Sequence, residues 1–292
     1  MGPYHPECPE RLDAIHDRLI SDGLDGFLAH YQAPAATREQ LERVHAAHYI
    51  DEIEAASPES GIHYVDPDTA LNPHSLMAAR HAAGAVVLAT DLVAGGECRT
   101  AFCAVRPPGH HAMRDRAMGF CLFNNVAVGI RHALTAHGLQ RAAVVDFDVH
   151  HGNGTEDIFA ADPRVVMVGT FQYPLYPYSG VEPAGPNMHN VPLSPGSGSE
   201  AFRKAITERC IPALDAHRPQ IIFVSAGFDA HREDPLANLK LTDADFAWVT
   251  RQIVEVAARH ADGRIVSTLE GGYALAALGR SVAAHIRALA EV

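Results

Sequence analysis

The chain has 292 residues, 47% hydrophobic and 20% charged, with 35 acidic against 23 basic side chains and a formal net charge of -12. That length suits one large α/β domain, and the acidic balance disfavours binding to a phosphate backbone while favouring cationic ligands. No apolar stretch approaches the roughly 18 residues of a membrane span. The amino terminus from Met1 to Arg11 has neither a basic leader nor an apolar core, so the expectation is a soluble, cytoplasmic protein with no nucleic-acid or membrane partner. Five scattered cysteines, Cys8, Cys98, Cys103, Cys121 and Cys210, form no C-x-x-C pair and read as buried thiols.

An amino-terminal helical region leads to Thr37, which opens a capping box with Gln40 and an amphipathic stretch carrying Leu41, Val44 and Ile53 that closes before Pro58. A second helix is predicted from Asn72 and Pro73, through Ala78, Ala82, Val86 and Leu92, to a stop at Gly95 and Gly96. Beyond it, apolar runs of strand length alternate with helical patterns: Ala101 to Val105, Ala142 to Phe147, Val165 to Gly169, Ile221 to Ala226 and Ile265 to Leu269. Nearly continuous hydrophobic runs suit strands buried on both faces. The predicted fold is therefore α/β, a mostly parallel doubly wound sheet with helices on both faces. No repeat or Pro/Gly linker divides residues 1–292, so a single domain is expected.

In open α/β sheets ligands bind beyond the carboxyl ends of the strands, and there the chain is rich in chemistry. Arg106, Pro107, Pro108, Gly109, His110 and His111 follow the first run; Asp146, Asp148, His150, His151 and Asn153 end and follow the second. Gly227, Phe228 and Asp229 follow the fourth, and Glu270, Gly271, Gly272 and Tyr273 the fifth. Asp148 and His150, one residue apart, point to the same side in extended backbone. With Asp229 they offer one nitrogen and two oxygens, leaving a coordination position open as a catalytic zinc requires, although Fe(II) or Mn(II) suits the same donors. His110 and His111 are candidates for proton transfer, with Asp146 and Asn153 near enough in sequence to orient their rings. Tyr273, behind two glycines, can donate its hydroxyl to a developing oxyanion.

Together these segments resemble the histone deacetylase superfamily. The matching stretches are Tyr4 to Leu12 (YHPECPERL), Arg106 to Ala112 (RPPGHHA), Gly119 to Asn125 (GFCLFNN), Asp146 to Thr155 (DFDVHHGNGT), Gly227 to Leu236 (GFDAHREDPL) and Glu270 to Tyr273 (EGGY), in the family's order. EGGY and Asn153 look like the class II branch. The resemblance implies an arginase/deacetylase-like fold and one zinc per chain, held by Asp148, His150 and Asp229. It makes His110 and His111 the proton-transfer pair, backed by Asp146 and Asn153, and has Tyr273 polarise the scissile carbonyl of an acyl-lysine or acetylated amine. Gly119, Phe120, Tyr176, Leu236 and Gly272 would line the substrate tunnel.

Several departures stand out. Gly169 and Phe171, with Thr170 between them, replace the family's serine and histidine, which puts in doubt the K+ otherwise expected around Asp146, Asp148 and His150. Pro177, Tyr178, Ser179 and Gly180 replace the usual proline-glycine turn. A strand and loop that usually precede Tyr4 are missing from this sequence. Polyamine-selective members carry glutamate where Leu236 stands, so acyl-lysine is favoured over an acetylated polyamine unless Glu233 or Asp234 supplies the charge. A dimanganese ureohydrolase of the arginase type and a non-catalytic acyl-lysine binding module are more distant alternatives. Acyl-chain preference, native metal and homo-oligomer formation are left open.

Overall fold

A computed structural model describes residue 2 and residues 4–291. Helix α1 (Glu10–Ser21) is followed by α2 (Arg38–Glu42) and α3 (Ala47–Ala56). The predicted capping box is present: the Thr37 hydroxyl accepts from Gln40 N, and Gln40 Oε1 accepts from Thr37 N at 2.9 Å. The stretch behind it is two helices rather than one. Between them, Ala46 N donates to the Arg114 carbonyl and buried His45 bonds the Met113 carbonyl at 2.9 Å, so partners from a distant loop replace helical hydrogen bonds.

A short antiparallel hairpin, β1 (His63–Asp66) and β2 (Thr69–Leu71), which the hydrophobic pattern did not reveal, precedes α4 (Ser75–Ala94). Helix α4 is long and apolar enough to cross a membrane by length and composition, contrary to the sequence expectation. Half of its apolar window is buried, however, and it packs against the next helix, so it behaves as a core helix.

The main sheet contains β3 (Thr100–Cys103), β4 (Ala142–Asp146), β5 (Val165–Gln172), β6 (Met188–Leu193), β7 (Ile221–Ala226) and β8 (Ile265–Leu269). All pairings are parallel in the order β3-β8-β7-β4-β5-β6. The five predicted strands are all there, and β6 is additional. It lies at an edge, where Pro192 and His189 are tolerated because one side of the ladder goes unused. Strand β5 runs three residues past its predicted end, so Gly169 sits inside the sheet, opposite Asp146.

Side chains alternate between two cores, as strand geometry requires. Ala142 and Val144 face one apolar cluster with α2, α3, α4 and α5 (Asn125–Thr135). Ala143 and Val145 face the other, with α1, α6 (Asp243–His260) and α7 (Leu275–Ala290). The chain goes one way from β4, through β5 to β6, and returns to the other side of β4 with β7. The carboxyl ends of β4 and β7 therefore mark the topological switch point, where a crevice is expected.

Candidate active site

At that switch point Asp148 and His150 leave β4, and Asp229 leaves β7. Ligand atoms of the three residues lie within 4.8 Å of one another. His150 Nδ1 is 3.0 Å from Asp148 Oδ1 and 3.2 Å from Asp229 Oδ2. Main-chain donors aim the carboxylates: Gly271 N to Asp148 Oδ2 at 2.8 Å and Val149 N to Asp229 Oδ1 at 2.9 Å. Asp229 Oδ2 is buried without a satisfactory hydrogen bond, a costly condition for a carboxylate. Burial and the Asp148 charge push the Asp229 carboxyl up to about 7. Against the cost of burial, the two carboxylates push His150 up to about 10. A divalent cation would satisfy the orphaned oxygen and neutralise the crowded carboxylates, so these residues fit a zinc-class ion. Gly271 is required here by close approach, since a Cβ would meet the Asp229 and Asp148 carboxylates.

His110 and His111 pack with ring centroids 4.1 Å apart, their planes tilted by 45°. As expected from sequence, His110 Nδ1 bonds Asp146 Oδ2 at 3.0 Å and His111 Nδ1 bonds Asn153 Oδ1 at 2.7 Å. Their environments differ. Burial opposes the charged form of His110, but Asp148 and Asp146 hold its proton affinity well above the ordinary histidine value. Burial, with His110 and His150 adding repulsion, holds His111 well below it. One imidazole thus retains a proton while its neighbour stays neutral, the separation that acid and base roles need.

These groups line a cavity of about 210 Å³, together with Asp68, Gly119, Phe120, Leu175, Tyr176, Leu236, Gly271 and Tyr273. Gly119 and Phe120 both have positive φ, 57° and 68°, and a Cβ on Gly119 would overlap the His111 ring. Only glycine suits that position. Phe120 accepts its strained conformation because Asp68 Oδ1 and the Thr69 hydroxyl take the Gly119 and Phe120 N–H groups, each at 3.0 Å. Tyr176 stands edge-on to His111 at 5.3 Å and forms part of the opposite wall. Gly272 does not line the cavity, contrary to expectation. Its carbonyl turns away to accept from Arg11 Nε at 2.7 Å, and its α-carbon packs beside Phe228 and Leu278.

Tyr273 is half-buried, its ring 5.9 Å from Phe120 and beneath the Arg11 guanidinium at 5.0 Å. Burial pushes its phenol well above the usual value, so it stays a proton donor.

Four residues support the site in ways the sequence did not indicate. Buried Arg11 ties the Glu270 and Gly272 carbonyls together. Glu7 receives Arg106 through both of its carboxylate oxygens and also faces Arg11. Glu270 accepts from Gly109 N at 2.7 Å, His110 N at 3.1 Å and the Ser225 hydroxyl, fixing the histidine loop. Asp234 Oδ2 takes Tyr273 N at 2.7 Å and Oδ1 takes Leu236 N at 3.0 Å. Glu270 carried a signal, as an acid at the end of a fully apolar strand; a lone arginine in an exposed-looking helix carries none.

Two further expectations concern groups beside this rim. Neither Glu233 nor Asp234 is free to read a remote ammonium, because Glu233 pairs with Arg280 at 2.9 Å and Asp234 is consumed by main-chain donors. Gly169 brings no side-chain oxygen toward Asp146, whose own oxygens are taken by Asp148 N and His110.

The fold and this constellation define an α/β protein of the deacetylase type, with a ligand set that could hold a metal ion. The histone deacetylase domain profile matches residues 5–289, and the chain belongs to that family. It is 42% identical over 276 residues to a histone deacetylase-like amidohydrolase of Pseudomonas aeruginosa, covering 92% of this chain and 72% of that protein. It is 38% identical over 283 residues to a probable deacetylase of Archaeoglobus fulgidus, covering 94% and 78%. A mouse polyamine deacetylase, HDAC10, is 36% identical over 97% of this chain and 44% of its own length. The crystal structure of the HDA15 HD domain superposes with a TM-score of 0.92 at 34% identity, covering 99% of this chain and 84% of that one.

Proposed function

We propose that the chain is a zinc-dependent amidohydrolase that removes acyl groups from lysine side chains. The observation that carries this reading is the arrangement at the base of one narrow cavity: a three-ligand metal set, two differently tuned imidazoles and a phenol. A zinc-class ion held by Asp148, His150 and Asp229 would supply Lewis-acid polarisation of the acyl carbonyl and lower the pKa of a nearby water. His111, neutral through its environment, takes a proton from the attacking water. His110, charged through Asp146 and Asp148, is suited to protonating the departing amine. Tyr273 donates its hydroxyl to the oxygen that becomes negative as the carbonyl turns tetrahedral. Phe120 and Tyr176 flank the aliphatic arm and exclude water from it.

The acetylated polyamine is the second reading, supported by the similarity to a polyamine deacetylase and by Asp68, a carboxylate lining the cavity. Against it, apolar and partly exposed Leu236 stands at the lip, and its acidic neighbours are engaged. Measuring free amine released from an acetyl-lysine peptide and from an acetylated polyamine, with metal content on the same zinc-loaded sample, separates the two. Cleavage of the peptide at a rate dependent on the ion supports the leading reading. Preference for the polyamine overturns its substrate, and cleavage of neither substrate despite bound ion overturns its chemistry.

A further inference from the structure

A second cluster of metal-ligand types lies at the other end of α5, roughly 16 Å along an 11-residue helix from the catalytic rim. Asp91, in the last turn of α4, places Oδ1 2.7 Å from His132 Nε2, in the last turn of α5, and 2.7 Å from His137 Nε2, just beyond it. We propose that Asp91, His132 and His137 form a second divalent-metal site, of the kind that takes zinc, nickel or cobalt, distinct from the site of the reaction. Two imidazole nitrogens and one carboxylate oxygen are borderline donors suited to those ions, and the open side leaves room for water.

Two further features bear on it. The carboxyl ends of α4 and α5 converge here, and the negative ends of their dipoles favour a cation. The ligand atoms already lie within 4.8 Å of one another. In a tetrahedral zinc complex, nitrogen and oxygen ligands stand roughly 3.3 Å apart. Opening from 2.7 Å is a modest rotation for Asp91 and His137, whose side chains are 49% and 25% exposed.

Arg43 works against the ion. Its NH1 group lies 3.2 Å from His132 Nδ1, and because arginine can only donate, Nδ1 is the acceptor and Nε2 carries the proton given to Asp91. Metal binding moves that proton to Nδ1 and turns Arg43 toward Glu39 and Thr135, which it already contacts.

Equilibrium dialysis against zinc, with metal counted per chain, tests this. Asp91→Asn and His137→Asn should each hold one ion fewer than wild type, with amine release unchanged. Asp229→Ala should still hold the ion at this second site, so failure of the catalytic assignment would be told apart from failure of this one. Arg43→Gln, whose amide oxygen can receive the Nδ1 proton, should tighten binding at this site about tenfold. An equal zinc count in wild type and in folded His137→Asn, or unaltered affinity in Arg43→Gln, overturns the site.

Discussion

At the sheet rim His110 and His150 face carboxylates, whereas His285 in the core faces two hydroxyls and the rings of Phe102, Phe147 and Phe228. All three are enclosed, yet the first two are pushed up and burial drives His285 down to about 3. Burial alone removes the charge from a histidine; anionic neighbours restore it. The core therefore keeps its histidine neutral as a fixed hydrogen-bond bridge. The rim collects charge at a place where it can be used.

Removing the charge from the rim should have the largest effect. Asp229→Ala should empty the catalytic site and lower hydrolysis by at least about a thousandfold, read by metal content and amine release together. Tyr273→Phe leaves the carboxylates intact, so its metal content should match wild type while kcat falls by about 10²–10³-fold. Equal turnover in that variant would remove Tyr273 from the chemistry. Asp234→Asn replaces an acceptor of three N–H groups with an amide that must present a donor on one side. It should lower kcat about tenfold with little change in metal content; an unchanged kcat would make Asp234 a folding residue only.

The core side of the contrast shows in stability. Below pH 6.5 the unfolded chain protonates the equivalent of His285, while the folded chain resists until about pH 3. Buried His45, held down to about 4 by burial, behaves alike. With more protons on the unfolded state, each should remove about 1.4 kcal/mol per pH unit as pH falls through that window. Urea unfolding of His285→Gln between pH 6.5 and 4 should show a shallower fall than wild type. An identical slope would mean that the His285 proton is not excluded from the folded core.

The clustering of Asp148, His150 and Asp229 and of the histidine pair was legible because their residue types recur beyond strand ends that hydrophobic runs had already located. The tunnel walls Phe120 and Tyr176 were legible only through the family resemblance, and Gly272 misled because its neighbour Gly271 is the one facing the cavity. Strand β6 escaped notice because an edge strand need not be uniformly apolar. Arg11 and Glu7 escaped, and Asp234 was given a different part, because decisive partners lie far away in sequence: Arg11 and the Gly272 carbonyl are separated by 261 positions, and Asp234 and Tyr273 N by 39.

That separation bears on the order in which the molecule becomes complete. Asp148 and Asp229 come from strands adjacent in space but distant along the chain, and Gly271 N and Tyr273 arrive later still, behind β8. A growing polypeptide that has folded through β6 displays His110, His111, Asp148 and His150, but lacks the second carboxylate and the phenol. Asp229, the Gly271 donor and Tyr273 therefore join the candidate site only once β7 and β8 are in the sheet, where α1 can lend Arg11 to the loop behind β8. The candidate centre is in effect a seal joining α1 to the loop behind β8.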